Sequence, residues 1–377
     1  NCNDKIGIIG GGVTGLTIAY NLLNNKKIKK NKIELFESKD KLSGNIENYE
    51  ANCPAMMSCF DYDRCKHIKI LMKELDIKPT IVNIWENCTF YENGERFKIN
   101  NSPWSRMSCL EYIEITKNYK KFYELLRAAA SVNYFTSNDK FSFSEFFHYV
   151  RKHYIHYYYT LEKGNVSKLI NKIHDKIEFQ TSIYCNHHLK KIKIINGKVL
   201  CYFSNGFEYI FNKLVLTIPP HYIKNIIDPT TKNIELLLLY KFSKCYYGQK
   251  SYSMFHIDEK VCLRNSSLTY EKKKYKNRYH YILHINPRLF YNVPTIPANR
   301  RISIWYEYED LNNINDEFIL SKRYSVISII RKGKEREFKN TLKKIQNNKN
   351  VYIASSYLSP SKWCNDAVRL ASHFKDI

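Results

Sequence analysis

Lys5-Ile-Gly-Ile-Ile9 runs directly into Gly10-Gly-Gly12-Val13-Thr14-Gly15, which runs into Leu16-Thr-Ile-Ala-Tyr-Asn-Leu-Leu23. The first piece reads as a short buried strand. The last piece carries apolar residues at helical spacing. The glycines between them fall as G-x-G-x-x-G at a strand-to-helix junction, and each has a physical task. Gly10 permits the tight turn, Gly12 lets backbone approach a pyrophosphate, and Gly15 lets the helix pack closely on the strand. The helix start, with Val13 and Thr14, supplies free N–H groups and the positive end of the helix dipole.

Working outward, Lys32-Ile-Glu-Leu-Phe-Glu37-Ser38 reads as a second strand, alternating apolar and polar, that ends in an acid. Glu37 lies 22 residues beyond Gly15, close to the roughly 20 expected of the acid that accepts from an adenosine ribose. A carboxylate there suits a free 2′-hydroxyl and repels a 2′-phosphate, which disfavours NADP and leaves NAD and FAD.

The continuation Glu37-Ser-Lys-Asp-Lys-Leu42-Ser-Gly44-Asn45 resembles the FAD-dependent flavin amine oxidase superfamily, whose members follow this acid with L-G-G and a basic residue. Ser43 stands at the first of those glycines and Asn45 at the basic position. The resemblance continues through Glu162-Lys-Gly164-Asn-Val-Ser-Lys-Leu-Ile170, similar to a G-G-x-x-x-L-I segment opening a helix. Ile177-Glu-Phe-Gln-Thr-Ser-Ile183 is similar to the strand whose backbone meets the adenine, and Lys213-Leu-Val-Leu-Thr-Ile-Pro219-Pro220 to the strand on which the chain leaves the cofactor domain. Asn350-Val-Tyr-Ile-Ala-Ser355 is similar to the last strand of that domain, and Trp363-Cys-Asn-Asp366-Ala367-Val-Arg-Leu-Ala-Ser372 to its final helix. Within the superfamily the nearest likeness is to the amine-oxidase-like flavoproteins associated with cyclopropane-fatty-acyl synthases, and the second to protoporphyrinogen oxidase.

That resemblance implies an α/β fold: a discontinuous Rossmann-like FAD-binding domain over 1–72, 162–226 and 346–377, with an inserted α+β substrate domain over 73–161 and 227–345. It implies FAD as cofactor, held by Gly10, Gly12, Val13, Thr14, Gly15, Glu37, Ser38, Gly44, Asn45, Ile183, Ser355, Asp366 and Ala367. The activity implied is hydride removal from an apolar or amine-type small molecule to the flavin. Ser43, Lys163, Ser355 and Ala367 put side chains where the family has glycine, so a flavin-fold binding or scaffold protein without catalysis is the alternative. Patterning adds helical periodicity across 107–150, short tyrosine-rich strands across 251–308, and hairpin turns at Asn196-Gly197 and Asn205-Gly206.

Composition bounds the rest. At 377 residues with 44% hydrophobic and 25% charged residues, the chain is long enough for two or three domains and too apolar for wholesale disorder. A net charge of +24 raises a nucleic-acid partner. The lysines are dispersed, however, among abundant Asn, Ile and Tyr, as AT-rich codon usage produces, and nucleic acid is not expected. Eleven cysteines without a C-x-x-C pair argue against a metal site and for a reducing intracellular compartment. No apolar run reaches membrane-spanning length, which leaves peripheral contact as the membrane alternative, and nothing fixes an oligomeric state. Because the chain begins at Asn1, a targeting segment can precede it. No catalytic side chain stands out: His187-His188 reads as an exposed turn, the aromatic run Phe146–Tyr159 with His153 and His156 as core, and His256 with Asp258 as a strand-end pair.

Overall fold

The computed structural model describes residues 4–25, 32–44, 46, 48–50, 53–54, 66–82, 88–92, 95–98, 158–161, 167–257, 268–275, 278–290, 295, 297–306, 319–331, 333–358 and 364–374. Asn45, the 107–150 periodicity, the Phe146–Ile155 part of the aromatic run with His153, His156, Lys163, Gly164, Asp258 and Trp363 lie outside the described residues.

Strand β1 (Ile6–Ile9) is the centre of a five-stranded, wholly parallel sheet. On one side it pairs with Lys213–Leu216, which pairs with Val351–Ile353; on the other it pairs with β2 (Ile33–Phe36), which pairs with Ser182–Tyr184. The sheet therefore gathers strands from the beginning, middle and end of the chain. Alternate residues feed two cores. Ile6, Ile8, Ile33, Leu35 and Val215 point into one, with helix α1 (Val13–Leu23), Ser167–Ile177 and Cys364–Ala371. Ile9, Phe36, Leu214, Leu216 and Ile353 point into the other. Burial on both faces is why β1 reads as an unbroken apolar run.

The second strand departs from its expected apolar–polar alternation, since all four residues of β2 are buried. Glu34 is covered because a three-stranded antiparallel meander, Leu189–Ile195, Lys198–Phe203 and Glu208–Phe211, lies over that face. Its carboxylate pairs with Lys5, whose amino group is 2.7 Å from Oε1 and also lies over the Tyr209 and Phe211 rings. Phe211 in turn needs Gly7: a Cβ there would come within 2.8 Å of the ring. The meander's first turn is the Asn-Gly hairpin read from the sequence, with positive φ at both Asn196 (50°) and Gly197 (70°), the two-residue turn whose twist matches the strands.

A seven-stranded sheet joins Cys88–Glu92 and Glu95–Lys98 to five strands between Tyr246 and Ile330. Among the described residues, tyrosine-rich strands do occur within 251–308, including Arg278–Ile285 and the greater part of Tyr246–Ile257. The helices Ile234–Lys244 and Glu335–Ile345 place Leu236, Leu239, Phe242, Phe338 and Ile345 in the core beneath the parallel sheet. That core thus takes in residues from both helices as well as from the sheet. Among the described residues no helix is long and apolar enough to cross a membrane.

Candidate functional site

Because all five strands are parallel, all five end at one edge, the position where open α/β sheets bind ligands. There β1 delivers Gly10, β2 delivers Glu37, Lys213–Leu216 delivers Thr217, Val351–Ile353 delivers Ala354 and Ser355, and Ser182–Tyr184 delivers Cys185.

The glycine turn is shaped as its sequence requires. Gly10 has φ +115°, a region side-chain-bearing residues avoid. A Cβ on Gly15 would collide with the carbonyl oxygen of Gly10, so α1 can start this close to β1 only without a side chain there. Gly12 is the N-cap of α1, no side chain caps the helix, and its first turn holds no acid. The N–H groups of that first turn thus lack an intrahelical acceptor and carry the helix's partial positive charge. Val13 and Thr14 are both buried, Val13 within the core, so what they can offer a ligand is backbone.

Glu37 closes the turn from the neighbouring strand. Only 6% exposed, it accepts from Gly11 N at Oε2 (2.7 Å) and from Ser38 Oγ and Lys39 N at Oε1 (both 2.9 Å). A carboxylate has about four lone-pair sites; three donors leave it one acceptor position. The loop behind it folds onto the glycines: Leu42 lies against Gly11, and Gly44, at φ +59°, is so near Gly12 that a Cβ on it would stand 2.8 Å from Gly12 Cα. Lys39 braces this loop by donating from Nζ to Gly44 O at 3.2 Å. Ser43 is buried at 6% exposure.

The other expected residues divide. Ile183 sits half-buried on the edge strand opposite Leu35. The strand expected over 177–183 is shorter than read: Ile177 is the last residue of its helix, residues 178–181 form the turn, and only Ser182–Tyr184 is extended. The helix ends late because Ile177 belongs to its buried stripe with Ile170 and Ile173, whereas Phe179 is 88% exposed. Ser355 is buried at the end of the last strand, next to Ala354, whose N–H donates to Leu216 O at 2.9 Å. Asp366 is buried in the first turn of its helix with Arg369 Nη2 3.5 Å from Oδ1, and Ala367 packs into the core shared with α1. Hydrogen bonds and close approaches join the glycine turn, Glu37, Ser38 and Gly44.

Four residues were missed. Gly11, within the turn, donates to Glu37, Lys39 bonds Glu37 and Gly44, and Thr217 contacts the turn directly; Thr217's place before Ile-Pro-Pro at a strand end was the available signal. His187, expected in an exposed turn, is instead half-buried among Phe36, Tyr184, Phe203, Phe207 and Tyr209. Its backbone N–H donates to Glu37 O at 2.8 Å, and that bond draws it in. His256 lies within its strand, opposite Arg301. Among the described residues no cluster of three or more His, Cys, Asp or Glu could hold a metal.

These residues fit the adenosine-diphosphate half of a dinucleotide: an uncapped helix start, a backbone cradle with no Cβ, and a buried carboxylate with one acceptor site open. A model of the NAD(P)-binding Rossmann-like domain matches residues 8–68. No curated protein matches the chain in sequence. Among solved structures, cyclohexylamine oxidase from Brevibacterium oxydans IH-35A superposes with a TM-score of 0.69 at 11% identity, covering 99% of this chain and 98% of that one. The fatty acid isomerase of P. acnes that produces CLA gives 0.67 at 13%, covering 99% of each chain. A protein from Exiguobacterium sp. 255-15, assigned as a protoporphyrinogen oxidase, gives 0.65 at 13%, covering 99% and 98%. The chain is therefore similar in fold, over essentially its whole length, to these three proteins.

Proposed function

We propose that this chain is an FAD-dependent oxidoreductase acting on an apolar or amine-type small molecule. The observation that carries the reading is the buried Glu37 carboxylate, joined to Gly11 N beside the uncapped start of α1 at the common strand edge. Glu37 would accept from an adenosine ribose hydroxyl through its remaining lone pair. The N–H groups at the start of α1 would offset the diphosphate charge, and Gly12 and Gly44 would keep the approach free of side chains. When bound, the flavin supplies a hydride acceptor at N5; the protein supplies orientation, a dry site and electrostatics. The apolar substrate class rests on the resemblance and on the fatty acid isomerase among the similar folds.

A second reading, a flavin-fold binding or scaffold protein without catalysis, draws on the buried Ser43 and Ser355 at family glycine positions. The two part on one measurement. The purified full chain should show flavin absorbance or acquire it on adding FAD, and Gly12→Glu, which puts a bulky anion against the Gly44 backbone, should abolish it. A colourless wild-type protein that ignores FAD would sink the oxidoreductase reading, and bound flavin that no donor reduces would favour the scaffold.

A further inference from the structure

Thr217 follows the Lys213–Leu216 strand and reaches across to the end of β1. Its backbone N–H donates to Ile9 O at 2.9 Å, while its hydroxyl lies 2.8 Å from the same carbonyl oxygen and 3.2 Å from that of Gly10. The hydroxyl has one proton, so Ile9 O receives the stronger bond and Gly10 O shares it. The same Oγ1 would stand 3.3 Å from a Cβ on Gly15 and occupies the space a Cβ on Gly10 would need. One side chain, some 200 positions away in sequence, thus bonds the first glycine of the turn and fills the space beside the last.

We infer that Thr217 is a positioning residue for the dinucleotide turn, fixing the Ile9–Gly10 carbonyls so that the Gly11 N–H meets Glu37 and the N–H groups at the start of α1 are set in place before any ligand arrives. The inference rests on the dinucleotide reading above. Glycine at φ +115° has many alternatives open to it, so nothing within Gly10 selects this conformation. A turn left to sample them would have to be ordered on binding, and that ordering opposes affinity.

The test uses the full chain, with FAD affinity read from quenching of flavin fluorescence and amide hydrogen exchange at Gly11–Gly15 read without ligand. Thr217→Val and Thr217→Ala remove the hydroxyl, Thr217→Ser keeps it, and Asn233→Ala serves as a control of stability alone. Asn233 caps a different helix by accepting from Leu236 N at 3.1 Å. Loss of the hydroxyl should weaken FAD binding roughly five- to tenfold and speed ligand-free exchange at Gly11–Gly15, with Ser restoring both to within about twofold of wild type. Asn233→Ala should lower the melting temperature and change neither. Wild-type affinity and exchange in a folded Val or Ala variant would overturn the inference, as would Asn233→Ala weakening FAD in step with its lost stability. A wild-type chain that binds no FAD overturns the dinucleotide reading, while the exchange comparison still decides what Thr217 does to the turn.

Discussion

Replacing Gly15 by Ala sets two effects of opposite sign against each other. Gly15 is a helical residue in the first turn of α1, and in an open helix Gly→Ala stabilises by about 1 kcal/mol. Here the added Cβ would overlap the carbonyl oxygen of Gly10 and stand 3.2 Å from its carbon. That oxygen is backbone, held at the strand end by the Thr217 hydroxyl, so relief must come from moving α1. The helix is not free to move, because Leu16, Ile18, Ala19 and Leu22 are fully buried against the sheet and its neighbouring helices. Forcing an extra carbon into such packing costs about 1–3 kcal/mol, at times more, and a backbone overlap belongs at the upper end. The net expectation is a loss of about 2 kcal/mol, or roughly 2–3 °C in melting temperature for a chain of this size. Gly12→Ala is the comparison: its Cβ would stand 3.3 Å from Gly44 Cα and 3.9 Å from Gly44 N, which a loop can yield. Scanning calorimetry of the ligand-free proteins should show Gly15→Ala well below wild type and Gly12→Ala close to it. A Gly15→Ala protein as stable as wild type would refute the account of why helix and strand approach so closely.

Other expectations lie away from the turn. His221 is 7% exposed, with Nδ1 2.6 Å from Ser328 Oγ, and burial, helped by Lys224, pushes its pKa down to about 4. The unfolded chain, with an ordinary histidine near 6.5, therefore binds the proton first, so this contribution is complete above about pH 6.5 and is lost as pH falls toward 4. It amounts to at most about 3 kcal/mol. Urea unfolding at pH 7 and pH 4.5 should show His221→Asn losing less stability on acidification than wild type; equal losses would contradict the burial argument. Glu235 accepts from the N–H groups of Lys349, Asn350 and Val351 at 2.9, 3.0 and 3.2 Å. Glu235→Ala should cost about 2 kcal/mol and accelerate amide exchange at those residues, and unchanged exchange would mean the last strand is held by other contacts.

How far the sequence disclosed this molecule depends on whether each signal was local. The glycine turn, the acid after β2 and the Asn196-Gly197 hairpin are written in consecutive residues, because backbone conformations that need glycine or asparagine leave their mark at the residue itself. Glu34 shows what such reading misses. In isolation it is the polar partner of an alternating strand; in the fold it is buried, because a meander from residues 189–211 lies over it and Lys5 comes to meet it. His187 is the same case. Its neighbours His188 and Lys190 are exposed, and only pairing with the strand end at Glu37 turns it inward. Thr217 and the crowding between Gly12 and Gly44 likewise depend on segments that meet only after folding.

The large positive charge now has a narrower meaning. Much of it is dispersed over exposed positions, such as Lys190, Lys193 and Lys198 on the meander and Lys339, Lys343 and Lys344 on the Glu335–Ile345 helix. At the strand edge the charge that organises the site is negative: the Glu37 carboxylate gathers three donors, two of them backbone, and thereby sets the conformation of both the glycine turn and the loop that returns to it. Positive potential there comes from oriented peptide N–H groups at the start of α1 rather than from lysine side chains in the turn. Peptide dipoles held by hydrogen bonds need not reorganise when an anion arrives, whereas a lysine side chain must give up rotamer freedom to serve it. A site built this way predicts its own weak point, since disturbing the bonds that hold the backbone, at Thr217 or Glu37, should harm binding more than removing any one surface cation.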